Sequence, residues 1–144
     1  MSGTFLDSAL DILARTVLGE ARNQPREGRT AIAHVAINRA TIGFHGASSI
    51  PAACLAPFQF SCWNSRDPDC QYIQAATVAD PAFADAIQVA QRAMQADDPD
   101  PTKGATHYHT VEAPKGASEW PPRWARGHEP VATIDDHVFY KGIA

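Results

Sequence analysis

The sequence predicts an α+β domain, helical through its first two thirds and closed by a small antiparallel sheet. Three observations carry that expectation. Before residue 95 the apolar residues recur at helical spacing. After residue 105 short runs of β-branched and aromatic residues replace them. The length, 144 residues, suits one domain that buries roughly 70% of its unfolded surface without needing a metal or a disulfide.

Residues 5–22 form the first expected helix, with Leu6, Leu10, Leu13 and Val17 on one face. Asn23-Gln24-Pro25 interrupts it, and Asn23 or Gln24 caps a second helix that has Pro25 in its first turn and runs to about Ala40. The run Ala31-Ile32-Ala33-His34-Val35-Ala36-Ile37 is small or apolar on nearly every side, which predicts a central, buried helix. Residues 41–80 are rich in Gly, Pro, Ser and Asp and read as loops with short helical turns. Asp80-Pro81 opens a third helix with Phe83, Ile87, Ala90 and Met94 on one face. Asp97-Asp98-Pro99-Asp100-Pro101 must end it. Three strands follow, Thr106–Val111, Val131–Ile134 and His137–Tyr140, the last two joined by a two-residue turn at Asp135-Asp136.

Composition excludes several classes of function. A hydrophobic share of 44% and a charged share of 19% exclude disorder. No apolar run approaches the length of a membrane span, so no membrane insertion is expected. Met1-Ser2-Gly3-Thr4 lacks the basic opening of a secretory signal, so synthesis in the cytoplasm is expected. A net charge of −4 argues against nucleic acid as a partner. The three cysteines, Cys54, Cys62 and Cys70, have neither zinc spacing nor the even number of a closed disulfide framework.

Glu20 is the residue out of place. It lies three residues after Val17 and seven after Leu13, so it continues the apolar face of the first helix. It also sits at that helix's C-terminal end, where the backbone dipole disfavours a negative charge. Both features favour a protonated carboxyl, as a general acid requires. The competing interpretation is a rim carboxylate paired with Arg15 or Arg22, and position alone slightly favours it. Glu27 stands where a helix-stabilising acid belongs.

The wording around Glu20 resembles a known family. Leu13-Ala14-Arg15-Thr16-Val17-Leu18-Gly19-Glu20-Ala21-Arg22, then Glu27-Gly28 and Val35-Ala36-Ile37-Asn38-Arg39, are similar to the bacterial cell-wall hydrolases typified by spore cortex-lytic enzymes, a family also found in phages. Gln59-Phe60-Ser61-Cys62-Trp63-Asn64, Gly104-Ala105-Thr106-His107-Tyr108 and His137-Val138-Phe139-Tyr140 continue the resemblance in the same order. It implies a lysozyme-like fold that cleaves peptidoglycan glycan strands between N-acetylmuramic acid and N-acetylglucosamine, with Glu20 as the catalytic residue.

Protonating a glycosidic oxygen is work for one carboxyl; hydrolysis normally needs a second. Asp67, Asp69, Glu112 and Glu119 are the candidates for it, each also readable as a solvated loop acid. A lytic transglycosylase needs only one, because the muramic 6-hydroxyl attacks its own anomeric carbon, and the resemblance favours that outcome. Gln59, Phe60, Trp63 and Asn64 mix aromatic faces with amides, as sugar sites do, though one of the two aromatics is expected in the core. His107 and Tyr108 start a strand and point to opposite faces, and the resemblance implies that both lie near the cleft. His107 and His109 share a face, but two histidines do not make a metal site, and no metal or cofactor is expected. Trp120 to His128 reads equally as a sugar-contacting stretch or as a loop pinned by two tryptophans. Asp97 to Asp100 lacks the spacing of a calcium loop.

The rival chemistries are a cysteine peptidase or amidase using Cys62 with His107 or His109, a zinc amidase lacking its usual His-Glu-x-x-His helix, and a non-catalytic glycan-binding module. The expected whole is one catalytic domain over residues 1–144 with no separate wall-binding domain, monomeric, reaching the wall as a phage-type endolysin released through a holin pore. Its negative charge gives no long-range pull toward an anionic wall, so affinity must reside in the cleft.

Overall fold

The computed structural model describes residues 7–57 and 59–143. Five helices come first: α1 (Ser8–Ala21), α2 (Arg26–Ile42), α3 (Ile50–Leu55), α4 (Pro68–Ala75) and α5 (Pro81–Met94). The strands β1 (His107–Thr110), β2 (Ala132–Ile134) and β3 (His137–Tyr140) close the chain as an antiparallel sheet in the order β1-β3-β2. This is a lysozyme-like α+β architecture.

Leu13 and Val17 are fully buried on α1, as their spacing predicts; Leu6 lies outside the described residues. Ala14, Leu18 and Ala21 are buried too, because α1 packs against each of the other four helices and is as central as α2. In α2, residues 31–36 are all buried, and the repeated alanines let neighbouring helices approach closely. His34, the polar member of that run, bonds to the carbonyl of Asp98 at 2.8 Å.

Two expected details differ. No side chain caps the start of α2, which follows Pro25 directly. The Gln24 amide is committed elsewhere: its Nε2 donates to Asp136 Oδ2 at 3.1 Å and its Oε1 accepts from the Asp136 N–H at 3.3 Å. α2 also runs two residues beyond Ala40, ending at Gly43, whose φ of 71° is the left-handed cap that glycine adopts without strain.

Asp80 caps α5 through the Ala82 N–H and holds the Tyr72 hydroxyl at 2.5 Å. The acidic segment after α5 is a helix-ending loop whose carboxylates are engaged. Asp98 pairs with Arg92, and Asp100 accepts from Thr102, Gly104 and Asn38. Burial raises the cost of the Asp100 charge, but the bonds from Thr102 and Asn38 outweigh it and hold the carboxyl below its usual range. This knot ties the start of β1 to α2, since Asn38 also donates to the carbonyl of Ala105 at 2.9 Å.

The β2–β3 turn is the expected Asp135-Asp136 pair, with Ile134 opposite His137 and Asp135 at φ 52°. It rests on α2 at Gly28, where a Cβ would stand 2.8 Å from Asp135 Oδ2. The sheet is thereby fixed at the end of the helical layer where α1 terminates. The three cysteines are buried and free.

Candidate active site

Glu20 is the penultimate residue of α1 and is half-buried. Its Oε2 accepts from the backbone N–H of Cys62 at 3.0 Å and from Ser61 Oγ at 3.4 Å. Its Oε1 accepts from the hydroxyl of Tyr108, which reaches across from β1. Neither arginine of the competing interpretation pairs with it. Arg15 bonds to Asp11 and to the carbonyls of Ile73 and Ala76, and Arg22 bonds to Asp69 at 2.7 Å. Three neutral donors therefore orient the carboxyl, with no ion pair to Glu20 among the described residues.

Local sequence explains how a backbone amide reaches that position. The turn Ser61–Trp63 lies directly on α1 because residue 19 is glycine. A Cβ there would stand 2.5 Å from Cys62 Cβ and 2.7 Å from its sulfur. One turn earlier, Thr16 Oγ1 accepts from Trp63 Nε1 at 2.9 Å while donating to the carbonyl of Ile12 at 2.8 Å. Gly19 permits the approach and Thr16 pins the turn, so the Cys62 N–H points at Glu20.

Tyr108 is aimed by the sheet. It shares a face with its cross-strand partner Phe139 and with His137, and the rings of Phe60, Phe139 and His137 surround its own. Burial, the Glu20 charge and the bond to Glu20 push its hydroxyl well above the ordinary tyrosine range, so it stays a neutral donor. Burial also lowers the His137 pKa, against the pull of Glu20 and the two turn aspartates. Cys62 is 1% exposed, and burial together with the Glu20 charge holds its thiol far above the ordinary range. Its sulfur faces the carbonyl of Thr16 and no described histidine bonds to it, an arrangement that does not suit a catalytic thiol.

One cleft reaches Glu20 and another reaches its partner Tyr108. The first is lined by Gly19, Glu20, Arg22, Asn23 and Asp69. The other, beyond Tyr108, is lined by residues that include Gln59, His107, Trp124 and Arg39. Gln59, Tyr108 and His107 line this second cleft, with His107 and Tyr108 on opposite faces of β1. Trp63 is part-buried and holds Thr16. Phe60 is a correction: at 1% exposure it is a core residue beneath Arg39 and beside Tyr108, not a sugar platform, because the turn folds its ring inward.

Trp120 and Trp124 pin the late loop against His109, and Trp124 also meets His107 and Tyr140. Among the acids, Asp67 caps α4, Glu119 faces Arg123 and Arg126, and Glu112 lies beside the β2–β3 turn. Of these four, Asp69 lines the cleft that Glu20 lines, among the described residues. Sequence reasoning missed Thr16, the Cys62 amide and Arg39. Thr16 lies one helical turn before Glu20 on the same face, which was a usable signal; a backbone donor leaves none.

One acid oriented by neutral donors at an open cleft, on a mainly helical body with a small terminal sheet, defines a lysozyme-like enzyme fold. The chain belongs to the cell wall hydrolase family, whose model matches residues 23–140. That match begins just after Glu20, so the position of Glu20 rests on its geometry. The fold is similar to the catalytic domain of the Bacillus cereus SleB protein, with a TM-score of 0.68 at 20% identity over 98% of this chain and 95% of that one. It is similar also to the catalytic domain of the germination-specific lytic transglycosylase SleB from Bacillus anthracis, with a TM-score of 0.65 at 22% identity over 98% and 100%. These likenesses show the fold. A comparison with curated protein sequences found no match.

Proposed function

We propose that this enzyme cleaves peptidoglycan glycan strands between N-acetylmuramic acid and N-acetylglucosamine by lytic transglycosylation, with Glu20 as its one acid and base. The observation that carries this is the setting of Glu20, a carboxyl oriented by three neutral donors in an open cleft whose other carboxylate, Asp69, is engaged by Arg22. Family membership and the likeness to a solved lytic transglycosylase support the same chemistry.

The donors assign roles to the two oxygens. Oε2 accepts two bonds, from the Cys62 N–H and the Ser61 hydroxyl. Among the described residues Oε1 meets only the tyrosine hydroxyl, which can also accept, and the reading places the transferable proton on Oε1. Oε1 gives that proton to the glycosidic oxygen as the C1–O bond breaks and oxocarbenium character develops at C1. The 6-hydroxyl of the same muramic residue then bonds to C1, and its proton passes to Glu20. The enzyme ends as it began, no water is consumed, and the product is a 1,6-anhydro end.

One observation favours a second reading. Asp69 lies on the same cleft as Glu20 and is the residue a hydrolytic muramidase would use. Mass analysis of products from purified peptidoglycan separates the two: anhydro-muramic ends support the transglycosylase, reducing muramic ends the muramidase, and released peptides overturn both. Glu20→Gln is expected to lower the rate by about 10²–10⁴, whereas Cys62→Ser retains activity because only its backbone is used. The cellular setting follows as part of the proposal: a monomeric endolysin that meets the wall through a holin pore. Efficient export of the native protein without a lysis partner overturns that setting alone.

A further inference from the structure

The cleft beyond Tyr108 contains a feature that the acid chemistry leaves unused. Arg39, on the last turns of α2, is 5% exposed and lines this cleft. Its Nε donates to the carbonyl of Thr106 at 2.6 Å, and its guanidinium lies over the rings of Phe60 at 4.7 Å and Phe44 at 5.3 Å. Its Nη1 has no hydrogen-bond partner among the described residues, and none of them pairs with Arg39 as a carboxylate. A guanidinium stays charged in a protein, and burial penalises that charge; the field of Glu20 favours it, but no carboxylate among the described residues pairs with it directly. The stacked rings and one carbonyl offset only part of that cost.

The rest of the wall brings no opposing charge. His45, His107, Gln59 and Trp124 line the cleft with Arg39, and no acidic residue does among the described residues. Burial and the adjacent Arg39 charge lower His107 to about 4, so its imidazole is neutral near pH 7 and adds a hydrogen-bonding edge rather than a second charge. The other cleft contains Asp69 as well as Glu20. The molecule as a whole carries −4, so this local inversion of sign is a property of the cleft itself. Its volume, about 380 Å³, lies within the range of small-ligand sites.

We infer that the Arg39 cleft is a subsite for an anionic sugar, and that it seats the muramic acid residue with its lactyl group ionised as a free carboxylate. This rests on the glycan-cleaving reading above and makes it more specific. In peptidoglycan the lactyl group is free only after the stem peptide has been removed, so an amide hydrolysis must supply this substrate. A lactyl group still amidated to peptide offers Arg39 a neutral carbonyl, and charged acceptors bind guanidinium about twice as strongly as neutral ones. Tyr108, shared between this cleft and Glu20, places the seated residue next to the proton donor.

The test compares two forms of one muramyl-glucosaminyl oligosaccharide, with its lactyl carboxylates free or converted to methyl amides, by titration calorimetry and by cleavage rate. The wild-type enzyme is expected to bind the free carboxylate about tenfold more tightly or better, and Arg39→Gln to lose that preference. Equal affinity of the wild type for both forms overturns the subsite, and this comparison needs no variant. Equal preference in a folded Arg39→Gln overturns the role of Arg39. Failure of the two proposals is distinguishable: discrimination in binding without cleavage of either form removes the enzymatic reading, and equal cleavage of both at equal KM removes only the subsite.

Discussion

Replacing Gly19 with alanine sets two physical effects against each other. Within a helix that exchange ordinarily stabilises by roughly 0.5–1 kcal/mol, because glycine gives up more conformational freedom on folding. Here the new methyl carbon stands 2.5 Å from Cys62 Cβ, 2.7 Å from its sulfur and 3.2 Å from Ile73 Cγ2. Carbons in ordinary contact sit about 3.5–4.0 Å apart, so the Ser61–Trp63 turn must retreat from α1 by about 1 Å. Overpacking of this kind costs about 1–3 kcal/mol. The same retreat stretches the 3.0 Å bond from the Cys62 N–H to Glu20, a hydrogen bond to a charged group worth about 1.5–3 kcal/mol. The expected net is a loss of about 1.5–5 kcal/mol in urea unfolding and a fall in turnover of at least tenfold on purified peptidoglycan. Adding Cys62→Gly to the variant removes both clashing atoms and recovers part of each loss, whereas adding Cys62→Ala keeps the Cβ and recovers little. Unchanged or raised stability with full turnover in Gly19→Ala would refute this account of how the turn is placed.

Gly28→Ala provides the contrast: at 2.8 Å it meets the carboxylate tip of exposed Asp135, which can swing aside, and at 3.0 Å the Cβ of Gln24, which need give by only a few tenths of an ångström. The change in stability is expected to lie within about 0.5 kcal/mol of zero or to be favourable, and a loss above 2 kcal/mol in urea unfolding contradicts that. Tyr108→Phe removes the donor at Glu20 Oε1, and kcat is expected to fall about 10–100-fold with KM little changed; a fall below twofold denies Tyr108 its role. Below its unfolded value of about 6.5, His107 is protonated in the unfolded chain but not in the folded one until about pH 4, so stability falls as the pH drops through that window. Between pH 7 and pH 5 the wild type is expected to lose about 1–2 kcal/mol more than His107→Asn, and parallel losses in urea unfolding at the two pH values remove His107 as the cause.

The elements whose signals are local were legible in the chain. Helical periodicity around Leu13 and Val17, the Asp80-Pro81 start and the Asp135-Asp136 turn each depend on residues within a few positions of one another. Glu20 was legible for a related reason: a carboxyl on an apolar stripe conflicts with its own neighbours, and such a conflict can be seen without knowing the fold. The alternatives for it were not separable there. Whether Arg15 or Arg22 neutralises Glu20 depends on where the carbonyls of Ile73 and Ala76 and the carboxylate of Asp69 lie, and these belong to a different helix and its end.

By itself, then, the sequence determined an α+β order of elements, one misplaced acid and a family resemblance running through four blocks. Tertiary structure alone decided what that acid faces. The donors to Glu20 come from residues 61, 62 and 108, far along the chain, and one is a backbone amide with no side-chain signature. It also decided that Phe60 packs inward, since an aromatic ring is suited equally to a core and to a sugar face until its turn is docked. Arg39 changed most. In the chain it stands only as the last residue of one resembling stretch, and only the closing of Phe44, Phe60 and β1 around it makes it a buried cation beside a cleft. Contacts between distant elements depend on how whole faces dock, and spacing along the chain does not encode that.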